Sequence, residues 1–145
     1  MSDEAKIEEW MMETLREEAR KIYTEKVLDY GMKPRNCGVM DKADGYAKVT
    51  GPCGDTVEIF LRVENGRIKD IRYTTDGCMT SHAAVSAATI MAAGKLLREC
   101  TIINQGSILE HLGGMPEESE HCALLAATTF HRAMRNYLVR GKKCV

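Results

Sequence analysis

The stretch from Thr56 to Thr75 limits the fold more than any other part of the chain. Val57, Ile59, Leu61 and Val63 alternate with Glu58 and Arg62, the period-two pattern of a strand with one covered face. Asn65-Gly66 comes next; both residue types accept positive φ, so the pair predicts a two-residue hairpin turn. Arg67 to Thr75 is then the return strand, and Tyr46 to Thr50 is a short third candidate. Together they predict an antiparallel sheet with one covered face.

Helical patterns lie on both sides. In residues 5 to 28, Ile7, Trp10, Met11, Leu15, Ile22 and Val27 recur mostly at steps of three or four, so one amphipathic helix with an acidic outer face is expected. Gly31 and Pro34 end that region, and a turn-rich stretch runs to Gly45. Residues 80 to 97 are alanine-rich, with Val85, Ile90, Met91, Leu96 and Leu97, and predict a largely buried helix. Ser107 to Leu112 predicts a short helix and Gly113-Gly114-Met115-Pro116 a loop. Residues 119 to 139 carry Ala123, Ala127, Phe130, Met134 and Tyr137 at helical spacing, and Gly141 can terminate that last helix. The fold class is therefore α+β, a three-stranded antiparallel sheet with helices packed on one face. At 145 residues one core is expected.

Several function classes drop out. The net charge is −1 and no Lys/Arg cluster stands out, which argues against a nucleic-acid partner. No apolar run is long enough to cross a bilayer. Met1-Ser2-Asp3-Glu4 opens without a basic and then an apolar segment, so a signal peptide is not expected and a cytoplasmic, reducing setting is. Six cysteines could form a disulfide framework, but that suits secreted chains with too small a core. Metal or thiol chemistry is the expectation.

Three cysteines stand out by context: Gly51-Pro52-Cys53-Gly54-Asp55, Asp76-Gly77-Cys78 and His121-Cys122. Three thiolates, a carboxylate and an imidazole are a metal-ligand set. Strands two and three form a hairpin, so the turn holding Cys53 and the strand end before Cys78 share one sheet edge. Cys122 joins them if the last helix begins there. Helix N-termini lower thiol pKa values, so Cys78 and Cys122 are both expected to be lowered. Asp55 offers a harder ligand than sulfur, which makes a metal easier to release and suits a carrier. Each residue has a plainer reading as well. Asp55 can cap a turn; for His121 the two readings stay open, because neighbours on a helix point apart. His82, one helical turn after Cys78, is either an ordinary histidine or one facing the site. Cys37 is a turn residue or a thiol near the site. Cys100 reads as a small buried hydrophobe, Cys144 as a tail thiol, and His111 and His131 as ordinary helix residues. No CxxC pair exists, so spacing alone is no standard zinc pattern.

From about Tyr23 to Tyr137 the chain resembles the IscU/NifU-type iron–sulfur cluster assembly scaffolds. The likeness is carried by Tyr23-Thr24-Glu25-Lys26-Val27-Leu28-Asp29, Lys33-Pro34-Arg35-Asn36-Cys37-Gly38, Cys53-Gly54-Asp55, Asn65-Gly66-Arg67-Ile68, Thr75-Asp76-Gly77-Cys78, Gly94-Lys95 and His121-Cys122. It implies the same three-stranded fold over residues 23–145; apart from it, residues 1–22 read as an acidic helical extension for which covering the core, a homodimer contact and partner binding all stay open. It implies a labile [2Fe-2S] cluster built from iron and sulfur, an iron donor, a cysteine desulfurase as sulfur source, and apo-proteins as receivers. Zinc binding in the isolated protein is compatible with the same ligands. Cys53, Cys78 and Cys122 match the cluster and persulfide cysteines, Asp55 the labilising aspartate and His121 its neighbouring histidine. Cys122 is the expected sulfur acceptor, because its helix start can face an incoming donor loop. Three departures matter. Met115-Pro116-Glu117-Glu118-Ser119 replaces the Leu-Pro-Pro-Val-Lys motif read by a dedicated Hsp70 chaperone, so that partner is not carried over. Met79-Thr80-Ser81-His82 stands where small residues are usual, which makes His82 a candidate extra ligand. Residues 1–22 lie outside the likeness. The alternative is a zinc-dependent sulfur acceptor of the SufU type, a sulfurtransferase; too little chain separates Cys78 from Cys122 for the insertion that type carries.

Overall fold

The structure, a computed structural model, describes residues 3–141. Strands β1 (Gly45–Thr50), β2 (Thr56–Glu64) and β3 (Arg67–Thr75) form one antiparallel sheet in the order β1-β2-β3. Asn65 and Gly66 sit at φ 55° and 74°, the two left-handed positions a tight hairpin turn demands. The alternation sorts side chains as expected: Val57, Ile59 and Leu61 are buried on β2, and Ile68, Ile71 and Tyr73 on β3.

That face is covered by helix α3 (Met79–Ala92) and helix α5 (Glu120–Gly141). Both present small residues: Ala83, Ala84, Ala87 and Ala88 on α3, and Ala123, Ala126 and Ala133 around Phe130 on α5, all at 0% exposure. Short side chains let the helix axes approach the sheet closely, and Phe130 fills the remaining space. Helix α4 (Gln105–Leu112) closes the end of the core with Ile108 and Leu112.

Two helical expectations need correction. The helix drawn over residues 5 to 28 is two helices, α1 (Asp3–Arg20) and α2 (Glu25–Met32). Thr24 has extended backbone; its hydroxyl accepts from the Val27 N–H at 3.1 Å and donates to the Leu112 carbonyl at 2.6 Å. An N-cap with a tertiary anchor interrupts the helix, while the apolar spacing runs on through the break and cannot register it. The helix drawn to residue 97 ends at Ala92. Gly94 takes φ 78°, its N–H donates to the Ile68 carbonyl at 2.8 Å, and Leu96 bridges to Arg67 at the start of β3. Leu97 and Cys100 belong to a separate 3-10 turn, Leu97–Ile102, in which Cys100 is buried as expected of a small hydrophobe. The last helix runs through Gly141, and Cys144 lies outside the described residues.

α1 has no buried residue, and its main packing partner among the described residues is α2. Ile7, Trp10, Met11, Met12 and Leu15 are all exposed, Trp10 at 67%. Among the described residues no helix is long and apolar enough to cross a membrane.

Candidate metal centre

The site grows from the first turn of α3. Cys78 is its N-cap, with extended backbone and no side-chain oxygen to satisfy the free N–H groups. The thiol takes that place. Its Sγ lies 3.2 Å from Thr80 Oγ1. This hydroxyl, opposed by burial and helped by the N–H groups of Thr80 and Ser81, holds the Cys78 thiol below its ordinary pKa, as expected for a helix start. Gly77 is needed immediately before it: a Cβ there would come 2.4 Å from Ser81 Oγ and 3.0 Å from Asp55 Oδ2.

Thr80 and Ser81 are 4% and 1% exposed, and their hydroxyls link three of the expected residues. Ser81 Oγ donates to Asp55 Oδ2 at 3.0 Å and lies 3.6 Å from Cys122 Sγ; Thr80 Oγ1 is also 3.6 Å from that sulfur. So Asp55, Cys78 and Cys122 share one patch, joined by two hydroxyls that the motif reading passed over. The signal was present, since two hydroxyl residues interrupt an otherwise alanine-rich helix at its first turn.

Other expectations fare differently. Cys122 lies in the first turn of α5 but is 3% exposed. Burial, only partly opposed by the hydroxyls of Thr80 and Ser81, raises its thiol pKa, and Cys78 and Asp55 add to the rise. The expected lowering is therefore wrong for Cys122, because desolvation outweighs the helix N-terminus. His121 is exposed, yet its Nε2 stands 3.8 Å from Cys122 Sγ; adjacency did not send the two side chains apart. Cys53 is exposed in the β1–β2 turn. Among the described residues no three Cys, His, Asp or Glu side chains stand in metal-gripping geometry.

A groove of about 700 Å³ opens beside Cys78, walled by Met12 and Leu15 of α1 and by Leu28 and Met32 of α2, with Met79 and His82 on its floor. Burial holds the His82 imidazole below its usual pKa. Cys37 is exposed next to the free edge of β3: Gly38 N–H donates to the Tyr73 carbonyl at 2.7 Å, and Tyr73 N–H to the Asn36 carbonyl at 3.0 Å.

Comparison with known proteins shows what the chain is similar to. The model of the NifU-like N terminal domain family matches residues 22–144. The chain is 40% identical over 123 residues to the iron-sulfur cluster assembly scaffold protein IscU 1 of Archaeoglobus fulgidus, covering 84% of this chain and 80% of that protein. It is 38% identical over 121 residues to IscU of Aquifex aeolicus, with 81% and 77% covered. Among solved structures, the N-terminal NifU-like protein of Brucella abortus superposes with a TM-score of 0.67 at 19% identity, covering 82% of this chain and 96% of that one. A SUF-system scaffold candidate from Fervidobacterium islandicum gives 0.68 at 20% identity, covering 79% and 97%. At such identities these two structures establish the fold.

Proposed function

The chain belongs to the family of NifU-like N-terminal domains, and on that premise we propose that it is an iron–sulfur cluster assembly scaffold that builds a labile [2Fe-2S] cluster and hands it to apo-proteins. The observation that carries this reading is the hydroxyl-linked patch of Asp55, Cys78 and Cys122 at the start of α3. Cys53 closes on it from its exposed turn, and three thiolates with one oxygen ligand bind the cluster less firmly than four thiolates would. Asp55 and His121 are the two candidates for the fourth position. A cysteine desulfurase supplies sulfur, an iron donor supplies iron, and a reducing compartment keeps the thiols free. Residues 1–22 form an extension on the scaffold domain at 23–145.

Exposure favours a first sulfur acceptor other than Cys122. A donor loop reaches Cys78 through the α1–α2 groove, whereas Cys122 is 3% exposed. We therefore assign the first sulfur to Cys78. After one turnover of desulfurase, peptide mass spectrometry is expected to find the persulfide on Cys78; finding it on Cys122 alone would return the role to the buried thiol.

The alternative, a zinc-dependent sulfur acceptor, is less well supported. Between Cys78 and Cys122 the chain is taken up by α3, the 3-10 turn, α4 and one short turn, Glu117–Ser119, with no inserted element. Anaerobic reconstitution with ferrous iron, cysteine and desulfurase separates the two. A two-iron spectrum followed by transfer to an apo-ferredoxin supports the scaffold. No cluster, with retained zinc and faster desulfurase turnover, supports the acceptor.

Asp55→Ala is expected to lengthen the life of the reconstituted cluster in air several-fold, because the labilising oxygen is lost. Absorbance decay measures this; equal decay rates would remove Asp55 from the mechanism.

A further inference from the structure

We propose that His82 is a metal ligand of this chain: its Nε2, together with Cys78 Sγ, takes a divalent metal of ferrous-iron character at the floor of the α1–α2 groove. The inference rests on the scaffold reading only for the identity of the physiological metal; the site itself stands on the residues.

The histidines differ in how their ring nitrogens are engaged. His111 Nε2 pairs with Tyr30 Oη at 3.3 Å, and His131 Nε2 contacts the Ile103 carbonyl. His82 is held by the other nitrogen: Nδ1 lies 2.8 Å from Tyr73 Oη. Tyr73 is 0% exposed, so this partner cannot move away. With the proton on Nδ1, the hydrogen bonds run in one direction. The imidazole donates to Tyr73 Oη, Tyr73 donates to Ser86 Oγ at 3.1 Å, and Ser86 also accepts the Arg35 N–H at 3.0 Å. In that tautomer the Nε2 lone pair is left over for a metal. That ring lines the groove together with Cys78.

This is how ligating histidines are built. The far nitrogen is held by a buried oxygen, which sets the ring orientation, and the tyrosine hydroxyl can accept from Nδ1–H when a metal takes Nε2. His82 lies one helical turn after the N-cap Cys78, its N–H donating to the Cys78 carbonyl at 3.1 Å, and both residues line the same groove. Thiolate and imidazole together suit iron, cobalt and zinc and disfavour magnesium or calcium. The Cys78–His82 pair meets the Asp55–Cys122 patch at Cys78, so a metal entering through the groove is already attached to one sulfur of the cluster site.

The test uses Co2+ added anaerobically to the full chain in a His121→Ala background, so that the other candidate imidazole is absent. Pulsed EPR of the cobalt centre is expected to show directly bound nitrogen. His82→Ala and His82→Gln in that background should each abolish the nitrogen signal. Tyr73→Phe, which keeps the buried ring and removes only the hydroxyl, should weaken Co2+ binding by about 10- to 100-fold, and loss of His82 by at least as much. Circular dichroism melts identify which variants are folded at the temperature used; His82→Gln preserves side-chain length if His82→Ala loosens the groove. Bound nitrogen that persists without His82, or an unchanged Co2+ affinity in a folded His82 variant, overturns the proposal. Cluster transfer by the wild-type chain reads the scaffold function separately, so each can fail alone.

Discussion

Serine in place of Cys53, Cys78 or Cys122 is expected to leave a folded chain that holds no stable two-iron cluster. The fold should survive because Cys53 and Cys78 are exposed and contribute little to the core. Cys122 is buried, but Thr80 and Ser81 hydroxyls already surround its sulfur and can partner a serine oxygen. The cluster should not survive, because a neutral hydroxyl replaces a thiolate, the ligand iron–sulfur clusters depend on. Cys100→Ser gives the opposite pattern. That residue is 0% exposed among core side chains, so an unpaired buried hydroxyl should cost about 1–3 kcal/mol while cluster assembly persists below the new melting temperature. Visible spectra and thermal melts recorded on the same samples distinguish the two classes. A stable cluster in any of the first three variants, or its loss from folded Cys100→Ser, would mean the cysteines are sorted wrongly.

Phe130→Ala is expected to be the most damaging single change to stability. Phe130 is 0% exposed, in the part of α5 that covers β1 and β2. Removing a buried phenylalanine side chain costs about 3–5 kcal/mol, against a total stability of about 5–15 kcal/mol for a typical domain. The surrounding alanines cannot fill the space, so collapse around the cavity should be limited. Since α5 also carries Cys122, cluster retention should fall in step with the folded fraction on warming. An unfolding free energy from urea titration within about 1 kcal/mol of wild type would show that the cavity relaxes far more than this packing suggests.

The sheet was legible in the sequence, and the candidate site residues could be named from it, each for a local reason. Alternation and the Asn65-Gly66 pair fix the hairpin without reference to anything distant. The cysteines announce themselves through their neighbours Gly54, Gly77 and His121. What could not be read depended on contacts far apart in the chain. Thr24 breaks a helix because Leu112 offers it a carbonyl, and α3 stops at Ala92 because the next residues pair with β3. Cys122 has a raised rather than a lowered thiol pKa because α5 buries it against α3, which no property of residues 120–124 discloses. Nothing local to His82 discloses its bond to Tyr73, which comes from β3.

The standing of α1 bears on how this protein can be observed. Trp10 is the only tryptophan and sits exposed on a helix without a buried residue. Its emission therefore reports on the extension and hardly at all on the sheet and its covering helices. A denaturation curve followed by tryptophan fluorescence would track fraying of α1, while tyrosine absorbance would track the domain, since every tyrosine lies outside α1. The two curves would not coincide, and that mismatch, ordinarily taken as the sign of a folding intermediate, would here reflect only where the fluorophore is placed.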